Sequence, residues 1–462
     1  MRFGVGEEIT FDLELIEKYN TPAPRYTSYP PATELRNDFT EIDYRSAIVV
    51  SNHRRSPLSL YFHLPFCQSA CYFCGCNTVV SNNKKLAEKY LLYLAKEMEN
   101  TCQLIDRDRQ IMQVHWGGGT PNYLSLDQVD FLWSKINQNF QIETDAEISI
   151  EINPQYVDRN YILFLKSLGF NRISFGIQDF NPIVQAAVNR VQTEKSLFKV
   201  MEWIREAGFT SVNVDLIYGL PFQTLYTFWE TIKKTIKLDP DRIAVFNFAY
   251  LPWLKPIQKN IPESALPKAH EKLEIWQMAI QELTHNGYNF IGMDHFAKPQ
   301  DELAIAQREK SLKRNFQGYT TKPHTELFGF GTTSISMLSD AYTQNHKNLP
   351  EYYQAIDQGC LPVSKGINLS RADILRRDII MQIMSNFQLD KVEIESKYHI
   401  NFDDYFWPEL HQLEYLEDDG LVKLTPNRID VTSIGRLLVR NIAFVFDAHT
   451  NQTVGRFLSK AI

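Results

Sequence analysis

The sequence predicts an α/β fold. It is a partial (β/α)6 TIM-like barrel with an extended N-terminal segment and a mainly helical C-terminal domain. Two observations carry that expectation. Short β-type runs alternate with amphipathic helical stretches between residues 58 and 249, which implies parallel pairing through right-handed crossovers. Beyond about residue 300 the alternation stops, and from 368 onward helical patterning dominates.

The expected strands are LSLYFHL (58–64), IMQVHW (111–116), EISIEI (147–152), ISFGIQ (173–178), VNVDLI (212–217) and IAVFNFA (243–249). The helices between them fall near 84–103, 125–138, 158–168, 193–207 and 223–237. A further helix near 268–286 leads to the apolar run NFIGM (289–293). Residues 301–365 read as polar and irregular, with glycines clustered in LFGFGTTSIS (327–336). DGLVKLTPNRIDVTSIGRLLVRNI (419–442) reads as a short β-wing followed by a helix. Residues 1–35 end in PRYTSYPPA, whose prolines favour an extended backbone. These readings divide the chain into an arm (1–35), a β/α region with its irregular continuation (36–365) and a C-terminal domain (366–462).

Composition narrows the function classes. With 462 residues and 44% hydrophobic residues, the chain can bury a full core. A formal net charge of −7 weighs against general nucleic-acid binding. Neither a signal-type h-region nor a membrane-spanning apolar run is visible, so the expected location is cytoplasmic.

Four of the six cysteines lie within ten residues: Cys67, Cys71, Cys74 and Cys76. Clustering of this kind in a long chain points to metal or redox chemistry rather than a disulfide framework. Cys67-x3-Cys71-x2-Cys74 follows the first strand directly. Thiolates are the usual ligands of iron–sulfur clusters. Three of them on a four-iron four-sulfur (4Fe-4S) cluster leave one iron open to chelate S-adenosylmethionine. Structural zinc is the competing reading, but its ligands usually come in two separated pairs, and no second pair is present. Cys76 is open to two readings, a fourth ligand or a non-ligand; a fourth thiolate would close the open iron.

Gly117-Gly118-Gly119-Thr120-Pro121 follows the second strand, where glycines let the backbone approach a ligand. A plain strand-to-helix turn would use the same residues. Glu151, Gln178 and Asp215 lie at or near the C-terminal ends of successive strands, the face that carries the site in β/α barrels. Each acid needs a partner there, either a ligand or an internal group. Arg190 follows at a distance that suits a helix start.

Together these motifs resemble the oxygen-independent coproporphyrinogen III oxidases (dehydrogenases), within the radical S-adenosylmethionine superfamily. The resemblance runs through PRYTSYP (24–30), LYFHLPFCQSACYFCGCN (60–77), HWGGGTPNYL (115–124), AEISIEINP (146–154), GIQDFN (176–181), VNRVQ (188–192), DLIYGLP (215–221), FIGMDHFAKPQDELAIAQRE (290–309) and RNFQGYTT (314–321). It implies a cluster on Cys67, Cys71 and Cys74, with Cys76 as a family marker. It also implies two S-adenosylmethionine molecules per site. Tyr61, Gly118, Glu151 and Ile335 resemble contacts to the first. Gly119, Thr120, Gln178, Arg190, Asp215 and Ala249 resemble contacts to the second. Phe73 resembles an adenine-packing residue, and Gln317 lies near the second site by the same analogy. Asn153, where aspartate is common, and Phe175 and Phe330, where methionines are common, depart from the family pattern.

The implied reaction is oxidative decarboxylation of two propionates of coproporphyrinogen III to the vinyl groups of protoporphyrinogen IX, through a 5′-deoxyadenosyl radical. No side chain acts as a catalytic acid or base in the radical step. The implied partners are this substrate, an electron donor and an electron acceptor, with no nucleic acid and no membrane, on a monomer. Four substrate carboxylates call for basic residues, and Arg25, Arg308, Arg314, Arg436 and Arg440 are the candidates. His295 reads as structural. The alternative function is a haem-binding chaperone on the same scaffold, against which Cys76 and the PRYTSYP segment weigh.

Overall fold

The structure, a computed structural model, describes residues 9–449. Its contacts form two compact units. The larger comprises residues 35–268 and 324–368. The described part of the smaller comprises 9–34, 269–323 and 369–449. Residues 269–323 thus group by contact with 9–34 and 369–449 rather than with the chain on either side of them.

In the larger unit the strands are β1 (Leu58–Leu64), β2 (Ile111–Gly118), β3 (Ile142–Ile152), β4 (Arg172–Gln178), β5 (Ser211–Tyr218), β6 (Arg242–Asn247), β7 (Glu326–Phe330), β8 (Ile335–Met337), β9 (Ala341–Asn345) and β10 (Val363–Asn368). β1 to β6 pair in sequence order, all parallel. The helices between them are α1 (Lys84–Cys102), α2 (Leu126–Asn139), α3 (Arg159–Ser167), α4 (Pro182–Ala187), α5 (Glu194–Glu206) and α6 (Leu225–Leu238). Side-chain caps fix their starts: Asn83, Asp158, Asn181 and Thr193 accept from first-turn amides, and Ser125 and Thr224 head capping boxes. The β/α expectation holds, with α4 as an added turn.

The segment expected to be irregular, 301–365, is not. It supplies β7 to β10, which extend the sheet beyond β1. β7 runs parallel to β1, and β8 to β10 continue antiparallel. The sequence signal is weak because β7 reads ELFGF and β8 is three residues long. Gly329 is required by packing, since a Cβ there would lie 2.6 Å from the Ile335 carbonyl oxygen. Glu326 opens β7 and is buried against Arg109, with Nη2 to Oε2 at 2.7 Å.

Glu97 on α1 fastens the β7–β8 turn. It accepts hydrogen bonds from Gly331 N (2.8 Å), Asn345 Nδ2 (2.6 Å) and the Tyr352 hydroxyl. Burial pushes its pKa up to about 7 against these bonds. In the unfolded chain the group ionises near its ordinary value, so the folded state holds the extra proton between the two. Stability therefore falls as pH rises across that window, by up to about 3 kcal/mol from this group. Glu97→Gln is expected to flatten the pH dependence of the unfolding free energy there, read by denaturant titration at several pH values.

The smaller unit holds the helix Ala269–His285 and the antiparallel pair Asn289–Gly292 with His295–Ala297. The hairpin Lys313–Asn315 with Gly318–Thr320 follows. The long helix Arg371–Asn386 leads into shorter helices and the β-wing Gln388–Asp390, Val422–Leu424 and Arg428–Val431. Ile291, Ala297, Leu303 and Leu312 form one of its apolar clusters. The N-terminal arm is not wholly extended, because Leu13–Tyr19 is helical, capped by Asp12. The PRYTSYP stretch is not extended as expected: it bends over residues 27–30 and Tyr26 has φ +45°, with the Tyr26 hydroxyl donating to Asp447 Oδ2 at 2.9 Å. Among the described residues no helix is long and apolar enough to cross a membrane.

Candidate active site

Alternation along the parallel strands builds one polar stripe. Tyr61 and His63 on β1, His115 on β2, Ser149 and Glu151 on β3, Ser174 on β4, and Asn213 and Asp215 on β5 lie at alternate positions. Successive side chains of a strand point to opposite faces, so these share one face while their apolar neighbours fill the other. Register sets them side by side: Tyr61 opposite His115, His115 opposite Ser149, Glu151 opposite Ser174, and Ser174 opposite Asn213.

The stripe is internally bonded. Tyr61 stacks on His115 at 5.8 Å between ring centroids. Its hydroxyl lies 3.1 Å from His63 Nδ1, while His63 Nε2 is 3.0 Å from the Asn77 carbonyl. A carbonyl only accepts, so Nε2 carries the proton and Nδ1 accepts from Tyr61. Burial lowers the His63 pKa, which keeps the ring neutral. His115 lies 2.7 Å from Ser149 Oγ through Nδ1 and 3.4 Å from Glu151 Oε1 through Nε2. Glu151 Oε2 accepts from Gly118 N at 3.2 Å. Burial raises the Glu151 pKa, but the hydrogen bonds from His115 and Gly118 N outweigh it and hold the group below its ordinary value. Asp215 goes the other way: burial, then the Glu151 charge, push it up to about 7 despite Asn213 Nδ2 at 2.8 Å. Two carboxylates on adjacent parts of one face thus differ in ionisation.

The glycine turn after β2 meets the cysteine loop. Gly119 N donates to Leu64 O (2.9 Å) and Thr120 N to Phe66 O (2.9 Å). Thr120 Oγ1 lies 3.4 Å from Cys67 Sγ. Gly118 has φ +112°, and a Cβ there would strike the His63 ring at 2.5 Å. A Cβ on Gly119 would lie 2.6 Å from the Pro65 carbonyl. Gly119→Ala must therefore shift the segment that leads into Cys67. It is expected to lower turnover on the order of a hundredfold and reduce bound iron per chain, read by metal analysis beside product formation.

The loop is anchored on its other side too. Tyr72 N donates to Val188 O (3.0 Å), and Asn189 Nδ2 to Ala70 O (2.7 Å). Arg190 lies in the turn between α4 and α5, short of the helix start expected for it. Its Nη1 is 3.7 Å from Cys71 Sγ and its Nη2 donates to Gly176 O at 3.2 Å. Lys255 donates to the Gly75 carbonyl. Cys67, Cys71 and Cys74 are half-buried on this one loop, and Cys76 is at its exposed edge. Burial raises the Cys67 thiol to about 11, while a hydrogen bond from Cys76 lowers Cys74 and raises Cys76.

Most remaining candidates assemble on the same unit. Gln178 closes β4 with φ +66°. Phe73 packs against Val184, Val188, Ile217, Leu220 and Phe248. Ala249 lies in the loop just past β6, not within the strand, and its carbonyl accepts from Gln258 Nε2 at 3.1 Å. Ile335 opens β8. Gln317 lies in the smaller unit, in the hairpin turn. Phe175 and Phe330 are buried, Phe330 stacked on Phe62 at 5.1 Å. Asn153 caps a turn through Gln155 N at 3.0 Å.

Comparison with known proteins decides the family. A model of the radical SAM superfamily matches residues 61–235, and a model of the HemN C-terminal domain matches 369–438. An oxygen-independent coproporphyrinogen III oxidase of Synechocystis sp. is 57% identical over 459 residues, 98% of each chain. The chain belongs to this oxidase family. A relative of the same description from Salmonella typhimurium is 48% identical over 96% of this chain and 97% of its own. The solved coproporphyrinogen III oxidase (HemN) of Escherichia coli, described as a radical SAM enzyme, superposes with a TM-score of 0.92 at 46% identity. It covers 96% of this chain and all of that one.

Membership implies a 4Fe-4S cluster and S-adenosylmethionine, and the residues present fit both. Three thiols converge from one tethered loop, beside a glycine cradle that no Cβ could occupy. Arg190 Nε and Gln178 Oε1 are buried without a hydrogen-bond partner among the described residues, as groups awaiting a polar ligand would be. Among the described residues no three His, Cys, Asp or Glu side chains meet at a point suited to one metal ion. A cubane does not need that, since each thiolate binds a different iron. Sequence reasoning missed His63, His115, Asn213 and Lys255 as members of this site. The first three were visible as polar residues in phase with Tyr61, Glu151 and Asp215.

Proposed function

We propose that this chain converts two propionates of coproporphyrinogen III to vinyl groups, as an oxygen-independent oxidase in haem biosynthesis. Membership over nearly the full chain carries this reading. When bound, the cluster and S-adenosylmethionine supply a carbon radical that removes a hydrogen atom from an unactivated carbon, chemistry beyond any side chain. Each propionate then loses carbon dioxide and one electron to an external acceptor.

The protein's residues bind, orient and exclude water. Cys67, Cys71 and Cys74 would hold the cluster through their thiolates. Cys76 is assigned outside the ligand set, in support of Cys74. We assign two S-adenosylmethionine positions. Tyr61, Gly118, Glu151 and Ile335 serve the first, where ionised Glu151 suits an ammonium or hydroxyl donor. Gly119, Thr120, Gln178, Arg190, Asp215 and Ala249 serve the second. There the unpartnered Arg190 Nε suits a carboxylate and Gln178 Oε1 suits a donor. Phe73 offers an apolar wall for adenine. No residue is assigned as a general base. The positions set proximity, which is where this class of site gains its rate.

The reading is tested by reconstituting the protein anaerobically, reducing it, and adding S-adenosylmethionine with coproporphyrinogen III. Protoporphyrinogen IX and 5′-deoxyadenosine should both accumulate. Formation of 5′-deoxyadenosine alone would reject the substrate and keep the superfamily chemistry.

A further inference from the structure

We propose that the Lys313–Thr320 hairpin of the smaller unit carries a carboxylate-binding site built on Arg314, and that it takes a propionate of the substrate. The second clause rests on the decarboxylation reading above; the first stands on the geometry alone.

Arg314 is 6% exposed, yet its Nε and Nη1 are buried with no hydrogen-bond partner among the described residues. Two buried guanidinium donors without acceptors are costly, because they have lost water and gained nothing in exchange. Tyr319, the cross-strand partner, relieves the group only in part: its hydroxyl shares a hydrogen bond with the guanidinium and its ring lies 4.6 Å away, a neutral neighbour rather than a carboxylate. The nearby carboxylate of Asp294 is engaged by Arg25. Arg440 adds a third guanidinium, whose Nε donates to the Pro24 carbonyl at 3.0 Å and whose Nη2 donates to that of Ala23. Burial, then the charges of Arg25 and Arg314, lower Arg440 to about 10, so the like charges are close enough to oppose one another. Two of the three guanidiniums therefore have identified acceptors, and Arg314 Nε and Nη1 do not.

The same hairpin presents a second unused donor. Gln317 Nε2 is buried without a partner, while the Gln317 backbone N is satisfied by Asn315 Oδ1 at 2.9 Å. A hairpin with buried, unpartnered N–H donors and the cations Lys313 and Arg314 is complementary to an anion. The planar donors of a guanidinium suit a planar carboxylate best. Coproporphyrinogen III has four carboxylates, and two remain in the product. A receptor for carboxylate contributes binding that persists through the reaction, so its loss should appear in KM more than in kcat.

The test compares wild-type holoenzyme with Arg314→Gln and Arg314→Lys. The probe is coproporphyrin III, the oxidised tetracarboxylate, with its tetramethyl ester as the uncharged control. Binding is read by fluorescence titration and stability by thermal unfolding without ligand. Arg314→Gln is expected to weaken coproporphyrin III binding about tenfold or more and leave ester binding unchanged. KM for coproporphyrinogen III should rise in proportion, with kcat less affected. Arg314→Lys, which keeps charge but loses the planar donors, should fall between. Because Arg314 Nε and Nη1 lack acceptors inside the protein, Arg314→Gln should unfold at the wild-type temperature or above. Unchanged binding in Arg314→Gln overturns the site, as does a variant that fails to fold, since either result makes the residue structural. Failure of the wild-type protein to bind or convert the tetracarboxylate instead removes the decarboxylation reading.

Discussion

Cys67→Ser, Cys71→Ser and Cys74→Ser are each expected to abolish turnover and to lose most of the iron retained after anaerobic reconstitution. The three thiols sit on one loop whose backbone is held on both sides, at Leu64 and Phe66 by the glycine turn and at Ala70 and Tyr72 by residues 188 and 189. The loop therefore presents its ligands at fixed positions, and a hydroxyl at any one is a poor substitute for a thiolate on iron. Cys76→Ser is the internal control. Cys76 is the exposed member of the four, and its strongest interaction is with Cys74. It should retain the visible absorbance of the cluster. Loss of iron from Cys76→Ser equal to that from Cys71→Ser would mean four ligands and no open iron.

The second large effect concerns folding. Arg109 and Glu326 form an ion pair with side chains 1% and 4% exposed. Arg109 Nη1 also donates to Ser51 Oγ at 2.7 Å, and its Nε to Ser56 O at 3.0 Å. Glu326 Oε1 accepts from Ser339 N at 2.8 Å and Ser339 Oγ at 2.6 Å. Burial raises the Glu326 pKa, but these donors outweigh it and hold it low. Arg109→Met leaves the carboxylate buried without its counter-charge, which costs about 3–5 kcal/mol. Replacing both, Arg109→Met with Glu326→Leu, is expected to recover part of that loss, because an apolar pair carries no desolvation penalty. Denaturant unfolding of the two single variants and the double variant measures the coupling. Additive losses in the double variant would show that the pair does not act as a unit.

This pair also marks where sequence reading stops. Its members are 217 residues apart, and neither local pattern signals the other. The strand that Glu326 opens was hidden for the same reason. ELFGF begins with an acid and contains a glycine, so it reads as a loop until Arg109 and β1 supply its partners. By contrast, β1 to β6 were legible because apolar alternation and helix caps repeat locally. The cysteine spacing, the glycine turn and the strand-end acids were legible too, since each is a local motif at a predictable place in a β/α unit. His63 and His115 were in plain sight within the same alternation. Their roles emerge only when register sets Tyr61 beside His115 and brings His115 to Glu151. Asp215 shows the limit most clearly. Its position was readable, but a pKa near 7 depends on burial and on Glu151, which lies on another strand.

The measurement closest to the central claim follows one hydrogen atom. Coproporphyrinogen III deuterated at the β-carbons of its propionates is given to the reduced, cluster-loaded protein with unlabelled S-adenosylmethionine. The 5′-deoxyadenosine formed is then analysed by mass spectrometry. Deuterium in its methyl group, together with protoporphyrinogen IX, is the predicted result. Vinyl product with no deuterium transferred, or transfer only from α-deuterated substrate, would contradict the account.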